Sequence, residues 1–222
     1  MMNYEQHGDA ALLHFDDGKA NAVSHHYVDA MNEGLDRAEK DASSVILYGM
    51  SGKFSAGFDL SEFNKGPVEM DALSKKGAEM LLRIFSHPQP VIAACTGHAM
   101  AAGALILLAC DTRVGLQGNF KIGLNETAIG LQMPVFGLEL AGARLSKRHL
   151  TQALVQARLY EPETAVEAGF LDLVVEEEEL QKTVVDMAQQ LGQLPGKAYA
   201  RNKLGSRAVY IERIRKSLDT ND

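Results

Sequence analysis

Two stretches of small residues and one glutamate are the parts of this sequence most suited to chemistry. The first stretch, residues 52–60, reads GKFSAGFDL, and the second, residues 90–103, reads PVIAACTGHAMAAG. Small residues let a backbone approach a ligand closely, so that its N–H groups can stabilise negative charge on a carbonyl oxygen. Either stretch alone is better explained by tight packing, and the two together favour a binding role.

Glu126 lies within residues 120–130, which read FKIGLNETAIG. A lone glutamate in a loop is ordinarily solvated, but the apolar neighbours of Glu126 favour partial burial. Burial raises the pKa of a carboxyl group and suits it to proton transfer near neutral pH. Glu126 is therefore a candidate general base.

The elements that must position these residues alternate between strands and helices. Ser24 is a predicted helix cap, and the polar residues 64–69 are predicted to form a mobile loop. The predicted strands are 10–15, 44–48, 91–95 and 111–116. The predicted helices follow Ser24 and cover 71–85, the apolar segment 104–110, most of the chain beyond Pro134, and a basic amphipathic segment 197–218. This alternation predicts an α/β layer architecture.

The order and interval of the two stretches, together with the 120–130 motif, resemble the enoyl-CoA hydratase/isomerase (crotonase) superfamily. The resemblance covers about residues 10–203. It implies an α/β fold, a crotonase-like spiral of repeated ββα turns with a helical C-terminal region. It further implies a spiral core over residues 1–190 and a C-terminal helical segment over 191–222 that is shorter than usual in the family.

The resemblance also implies a set of site residues. Glu126 would be the catalytic base, and the backbone N–H groups of Phe58 and Ala102 would form an oxyanion hole. The implied substrate-binding residues are Ala20, Ala22, Ser55, Ala56, Gly57, Asp59, Leu60 and Asn125. The family usually carries glycine at the positions of Ala101 and Ala102. Ser55 is not predicted to be a nucleophile, because Lys53 breaks the Gly-x-Ser-x-Gly pattern.

Residue 105 discriminates among the reactions of the family. Family hydratases carry a second glutamate at this position, where this sequence has leucine. With one carboxylate the simplest reaction is proton transfer between two carbons, which predicts a Δ3,Δ2-enoyl-CoA isomerase. Hydration by Glu126 alone, thioester hydrolysis, decarboxylation and acyl-CoA binding without turnover remain alternatives.

Composition limits the partners. The net charge of −7 argues against nucleic-acid binding, and no apolar run is long enough to span a membrane. The N-terminal residues do not resemble a signal peptide, so a cytoplasmic location is expected, with both cysteines buried and reduced.

The resemblance implies no metal and no cofactor beyond the coenzyme A carried by the acyl-CoA substrate, and a homotrimer or dimer of trimers. Lys19 is a candidate phosphate contact; Lys197, Arg201 and Lys203 are either phosphate contacts or a solvated helix face.

Overall fold

The structure is a computed structural model that describes residues 1–220. Its strands are β1 (Met2–His7), β2 (Ala10–Phe15), β3 (Ser44–Tyr48), β4 (Gly52–Ser55), β5 (Val91–Cys95), β6 (Gly97–Met100), β7 (Thr112–Leu116), β8 (Ile122–Gly123) and β9 (Leu173–Val175). Its α-helices are α1 (His25–Asp41), α2 (Leu60–Phe63), α3 (Pro67–Phe85), α4 (Ala102–Ala109), α5 (Val135–Arg144), α6 (Leu150–Leu154), α7 (Pro162–Ala168), α8 (Glu177–Gly192) and α9 (Gly196–Thr220). No helix within residues 1–220 is long and apolar enough to cross a membrane.

The strands form two sheets that are wound together. One sheet has the order β1-β2-β3-β5-β7-β9 and the other β4-β6-β8. All neighbouring strands are parallel except β1 and β2. The consecutive pairs β3–β4, β5–β6 and β7–β8 each give one strand to each sheet. Helices follow the pairs, so the chain winds as a spiral of ββα turns, and the predicted fold class is confirmed.

Local sequence signals explain several elements. The Ser24 side chain accepts a hydrogen bond from the Tyr27 N–H at 3.2 Å, so the predicted cap of α1 is confirmed. All five residues of β5 and all eight residues of α4 are buried. A parallel strand covered on both faces is expected to be apolar throughout, as β5 is. The second small-residue stretch therefore joins a central strand to a buried helix.

Several elements differ from the prediction, and β1, β9 and the start of α3 are three of them. β1 was not predicted, because its sequence MNYEQH is largely polar, as an edge strand permits. α3 begins at Pro67, so the end of the segment predicted to be a mobile loop is helical; proline is well suited to a first helical position. β9 lies in the region predicted to be helical and pairs with β7.

A buried ion cluster holds α9 against the spiral. The two carboxylate oxygens of Asp111 lie 2.6 Å from the Lys203 Nζ and 2.7 Å from an Arg207 guanidinium nitrogen. Lys203 also donates to the carbonyls of His87 and Gln89 at 2.8 and 2.9 Å. Its side chain is only 4% exposed. Lys203 is therefore neither a phosphate contact nor part of a solvated face, and both interpretations of this residue were wrong.

Candidate active site

The first small-residue stretch presents a free backbone donor at Phe58. The Val23 N–H donates to the Gly57 carbonyl at 2.8 Å, and the Asp59 N–H donates to the Val23 carbonyl at 3.1 Å. This pairing uses the backbone on both sides of Phe58 and directs the Phe58 N–H away from Val23. Among residues 1–220 the Phe58 N–H has no acceptor, so it is available to a ligand.

The second stretch presents another free donor at the start of α4. Ala102 is the first residue of this helix, and its N–H has no acceptor in the described part of the chain. The N–H of the preceding residue, Ala101, donates to the Gly123 carbonyl at 3.0 Å. The positive end of the helix dipole adds to the field at Ala102. Both predicted oxyanion donors therefore lack a partner among the described residues.

The two donor loops are in direct contact. A Cβ built on Gly57 would fall 2.9 Å from the Ala101 Cβ and 3.4 Å from the Ala102 nitrogen. One built on Gly103 would fall 2.8 Å from the Ser55 Cβ. Gly57 also has a φ of +94°, which glycine adopts readily. Only glycine at these positions lets the Phe58 and Ala102 loops lie so close together.

Ala101 has a backbone conformation that strongly favours glycine. Its φ of 49° and ψ of −121° match the first central residue of a type II′ turn. Such a conformation costs a non-glycine residue about 1–3 kcal/mol. The alanine therefore strains the loop that carries one of the two donors.

We expect Ala101→Gly to stabilise the protein. Relief of the strain should exceed the entropic cost of glycine, about 0.5–1 kcal/mol, so a gain of about 1 kcal/mol is predicted. Thermal unfolding should show a Tm higher by about 2–4 °C. A lower Tm would show that the methyl contact with Gly57 outweighs the strain.

Glu126 is a buried carboxylic acid with one free oxygen. The residue is only 9% exposed, and its Oε2 has no hydrogen-bond partner among the described residues. Burial raises the pKa of this carboxyl group, opposed by a hydrogen bond with its own backbone. A group with these properties is suited to accept and return a proton, as predicted for a general base.

Backbone hydrogen bonds fix the loop that carries Glu126. A 3-10 turn, Thr127–Ile129, follows directly, and the Glu126 carbonyl accepts from the Leu131 N–H at 2.9 Å. The Thr127 hydroxyl donates to the Leu154 carbonyl at 3.0 Å. The bond from Ala101 to Gly123 links the same loop to the start of α4. The carboxylate and the second donor thus belong to one connected framework.

The pH dependence of turnover tests the prediction that Glu126 is the general base. The carboxylate must be ionised to accept a proton, so kcat/KM should fall as the pH decreases through its pKa. Because burial raises this pKa, the acidic limb should lie above the ordinary glutamate value of about 4.3. Turnover of a 3-enoyl-CoA measured between pH 4.5 and 8 tests this. A limb at or below the ordinary value would contradict the assignment.

The predicted substrate-binding residues border the first donor loop. The Ala56 N–H donates to the Ala20 carbonyl at 3.0 Å, and Ala22 lies one residue before Val23, which pairs with Gly57. Asp59 caps α2 by accepting from the Ser61 N–H at 2.9 Å. Leu60 follows and is exposed.

Asn125 belongs to the third loop and has an unpaired polar atom. Its Oδ1 is buried and, within residues 1–220, has no hydrogen-bond partner. The Glu126 Oε2 next to it in the chain has the same property. Two adjacent residues therefore keep buried acceptors for a ligand or water, which supports the prediction that Asn125 contacts substrate.

Sequence reasoning missed Asn21, which supports the first loop. Asn21 is buried with a φ of 48°, and its Nδ2 donates to the Phe15 carbonyl at 2.7 Å. Its carbonyl accepts from the Ser55 hydroxyl at 2.7 Å. The Ser55 hydroxyl is thus bonded to the backbone of the segment that precedes α1. The signal for Asn21 was the preceding turn Asp16-Asp17-Gly18, because asparagine tolerates the left-handed conformation that such loops require.

Leu105 of α4 is surrounded by apolar residues. It is fully buried, and its Cδ1 would be 3.5 Å from a Cβ built on Gly137 of α5. The Met133 Cγ would be 3.1 Å from the same atom. Position 105, where family hydratases carry their second acid, is therefore occupied by apolar packing. No group of three or more His, Cys, Asp or Glu side chains within residues 1–220 is placed to hold a metal ion.

Comparisons with known proteins identify the family of this chain. A family model described as enoyl-CoA hydratase/isomerase matches residues 5–213. The human protein "Enoyl-CoA delta isomerase 1, mitochondrial" is 30% identical over 92% of this chain and 69% of its own length. A Bacillus subtilis (strain 168) protein named "Probable enoyl-CoA hydratase" is 34% identical over 74% of this chain and 64% of its own.

A solved structure shows the same fold over nearly the whole chain. It is an enoyl-CoA hydratase/isomerase family protein from Pseudomonas syringae, 38% identical, with a TM-score of 0.96 over 99% of this chain and 96% of that one. The chain therefore belongs to the enoyl-CoA hydratase/isomerase family of the crotonase superfamily. It is an acyl-CoA-acting member of a family whose relatives carry both reaction names.

Proposed function

We propose that this protein is a Δ3,Δ2-enoyl-CoA isomerase that moves a double bond by proton transfer through one glutamate. The Glu126 carboxylate removes a proton from C2 of a 3-enoyl-CoA, and the electron pair of the broken C–H bond delocalises into the thioester to give a dienolate. Protonated Glu126 then returns the proton to C4, and the double bond moves to C2=C3. The overall reaction needs no water and no co-reactant.

The observation that carries this proposal is the contrast between positions 126 and 105. Position 126 holds a buried carboxylate with an oxygen that has no partner among the described residues, whereas position 105 holds a buried leucine beside Gly137 of α5. Adding water across a double bond is easiest with one group to activate the water and another to protonate carbon. Moving a proton between two carbons needs only one.

The two free N–H groups give the dienolate its electrostatic support. Negative charge develops on the thioester oxygen as the C2 proton leaves. The Phe58 and Ala102 N–H groups are free to donate to that oxygen, and they belong to loops held in contact at Gly57. Preorganised donors of this kind each contribute about 10²- to 10³-fold in rate.

The names of the relatives include two different reactions of the family, isomerisation and hydration. The human relative is named an isomerase and the Bacillus relative a probable hydratase. The human protein matches 92% of this chain, and the Bacillus protein matches 74%. Together with Leu105, this favours isomerisation, and hydration is the rival outcome.

The ultraviolet absorbance of the conjugated thioester tests the proposal. Mixing the protein with a 3-enoyl-CoA should produce a rise in this absorbance, because the product is conjugated. Mixing it with a 2-enoyl-CoA should produce no loss on the same timescale. Loss of the 2-enoyl absorbance would show hydration, and silence with both substrates at several chain lengths would contradict the isomerase assignment.

We also propose that the chain assembles as a homotrimer or a dimer of trimers. The support is family membership and a set of large apolar side chains that are exposed in the single chain, among them Ile129, Leu138 and Val209. Burying such side chains between subunits is favourable. Light scattering should give a mass of three or six times the 24.1 kDa of one chain; a monomer would contradict the proposal.

A further inference from the structure

Two consecutive carbonyls before α1 accept hydrogen bonds from the first small-residue stretch. The Lys19 carbonyl accepts from the Lys53 Nζ at 2.7 Å. The Ala20 carbonyl accepts from the Ala56 N–H at 3.0 Å. The first small-residue stretch is therefore aligned along the segment that contains these two carbonyls.

The N–H groups of the same segment are bonded to one carboxylate oxygen of Asp17. This Oδ1 lies 2.8 Å from the Lys19 nitrogen and 2.9 Å from the nitrogens of Ala20 and Asn21. The Asn21 Oδ1 in turn accepts from the Asp17 N–H at 3.1 Å. Partial burial raises the pKa of the Asp17 carboxyl group, but the backbone N–H groups lower it by more, so the pKa lies below its ordinary value. The carboxylate is therefore ionised at neutral pH and is held at several points.

The peptide groups of this segment are rigid links between Asp17 and the first small-residue stretch. A peptide group is planar, and in its trans form the N–H and the carbonyl point in opposite directions. The Ala20 N–H and the Lys19 carbonyl belong to one such group, and the Asn21 N–H and the Ala20 carbonyl belong to the next. Each group thus has its N–H on Asp17 and its carbonyl on the first small-residue stretch.

Main-chain bonds extend this alignment to the free donor at Phe58. The Ala56 N–H is bonded two residues before Phe58, and Val23 pairs with the residues on both sides of it. The loop is held along residues 20–23 by main-chain groups, with no side-chain torsion between Ala56 and the donor. The direction of the Phe58 N–H therefore depends on how this segment is held.

We infer that Asp17 is a positioning residue for the oxyanion hole. Its carboxylate fixes residues 19–21, and these fix the loop that carries the Phe58 N–H. The inference rests on the proposed function, because it assigns that N–H to the thioester oxygen. Asp17 lies in the turn between β2 and α1 and acts through the main chain, not on the substrate.

The test compares the same substitution at two neighbouring aspartates. Asp16→Ala is the matched control, because the Asp16 Oδ1 accepts from the Gly18 N–H at 2.7 Å, a bond that stays within the turn. Asp17→Ala should lower kcat for a 3-enoyl-CoA by about 10-fold. A misplacement of about 1 Å can cost about 10²-fold, and the loop keeps its bonds to Val23 in this variant. Asp16→Ala should leave kcat unchanged.

A spectroscopic signal measures the hole without turnover. Hydrogen bonds to the carbonyl of a conjugated arylacryloyl-CoA polarise it and shift its ultraviolet absorbance to longer wavelength. At saturating ligand the shift should be the same with the unmodified protein and Asp16→Ala, and it should be smaller with Asp17→Ala. An Asp17→Ala variant that has a lower Tm but keeps both the kcat and the shift would overturn the inference, because Asp17 would then only stabilise the fold.

Two further variants separate the position of the oxygen from its charge. Asp17→Asn keeps an acceptor oxygen at the same distance from the backbone, whereas Asp17→Glu keeps the charge and moves the oxygen by one methylene group. The asparagine variant should keep more of the kcat and more of the shift than the glutamate variant. This pair remains informative should Asp17→Ala fail to fold. The reverse order, or equal values for the two variants, would overturn the inference.

The spectral shift also separates this inference from the proposed function. A protein that shifts the bound absorbance but does not isomerise a 3-enoyl-CoA would contradict the isomerase assignment. The role of Asp17 would still stand in that case if Asp17→Ala reduces the shift and Asp16→Ala does not. Isomerisation and a spectral shift that are both normal in Asp17→Ala would overturn only the role of Asp17.

Discussion

Replacing Glu126 with glutamine is expected to lower the turnover of a 3-enoyl-CoA by about 10²- to 10⁴-fold, the usual contribution of a general base. The same carboxylate both removes and returns the proton, so its loss affects both steps. Binding of a 2-enoyl-CoA, measured by calorimetry, should change little because glutamine has the same shape. Comparable turnover in Glu126→Gln would refute the role of this residue.

Stability provides an internal control for this variant. The pKa of Glu126 is higher in the folded protein than in the unfolded chain because of burial. The stability that its protonated form contributes is therefore present below the unfolded pKa and is lost as the pH rises through the folded pKa. Above that value the ionised side chain disfavours folding, so Glu126→Gln should be at least as stable as the unmodified protein at pH 8.

Glu139→Gln is the matched control for catalysis. Glu139 lies on α5 and is within 3.4 Å of Arg213, with a side chain that is 17% exposed. Its side chain is largely covered and pairs with Arg213. Turnover should remain near that of the unmodified protein in Glu139→Gln. A loss as large as that of Glu126→Gln would require a second acid in the mechanism.

Replacing Asp111 with asparagine is expected to destabilise the protein by about 3–5 kcal/mol, the usual effect of breaking a buried ion pair. The substitution leaves the Lys203 and Arg207 charges buried without their counter-ion. Burial already lowers the pKa of Lys203, and Asp111 opposes this effect. The free energy of unfolding in urea measures the change.

An exposed ion pair is the control for this variant. Asp186 lies 2.5 Å from Lys182 on α8, with side chains that are 58% and 80% exposed. Asp186→Asn should change the free energy of unfolding by about 0–1 kcal/mol, as exposed pairs do. If Asp111→Asn destabilises no more than Asp186→Asn, the cluster does not anchor α9.

The parts of the site that were predicted depend on local sequence. The cap at Ser24 is set by a side chain that bonds to a backbone N–H three residues away. The small residues around Gly57 and Gly103 indicated close backbone approach, and the structure shows it. The fold class followed from the same motifs through family resemblance. The catalytic roles of Glu126, Phe58 and Ala102 remain predictions.

The parts that were missed depend on contacts between distant segments. Lys203 was read as a surface residue because the helix pattern gives no sign of Asp111, which lies on another element. Gly77 was not singled out, because the residue that leaves no room for a side chain there, Phe58, lies in a distant segment of the sequence. β9 is three residues long, too short for its periodicity to stand out from the helices around it. Pro67 did carry a local signal for the start of α3, and that signal was overlooked.

The mass of the product formed from a 3-enoyl-CoA tests the central claim most directly. The protein is incubated with a 3-enoyl-CoA and the thioesters are separated and weighed by mass spectrometry. A single-glutamate isomerase should convert the substrate into a conjugated product of unchanged mass. A product heavier by one water, or no product other than free coenzyme A, would contradict the claim that Glu126 only moves a proton between C2 and C4.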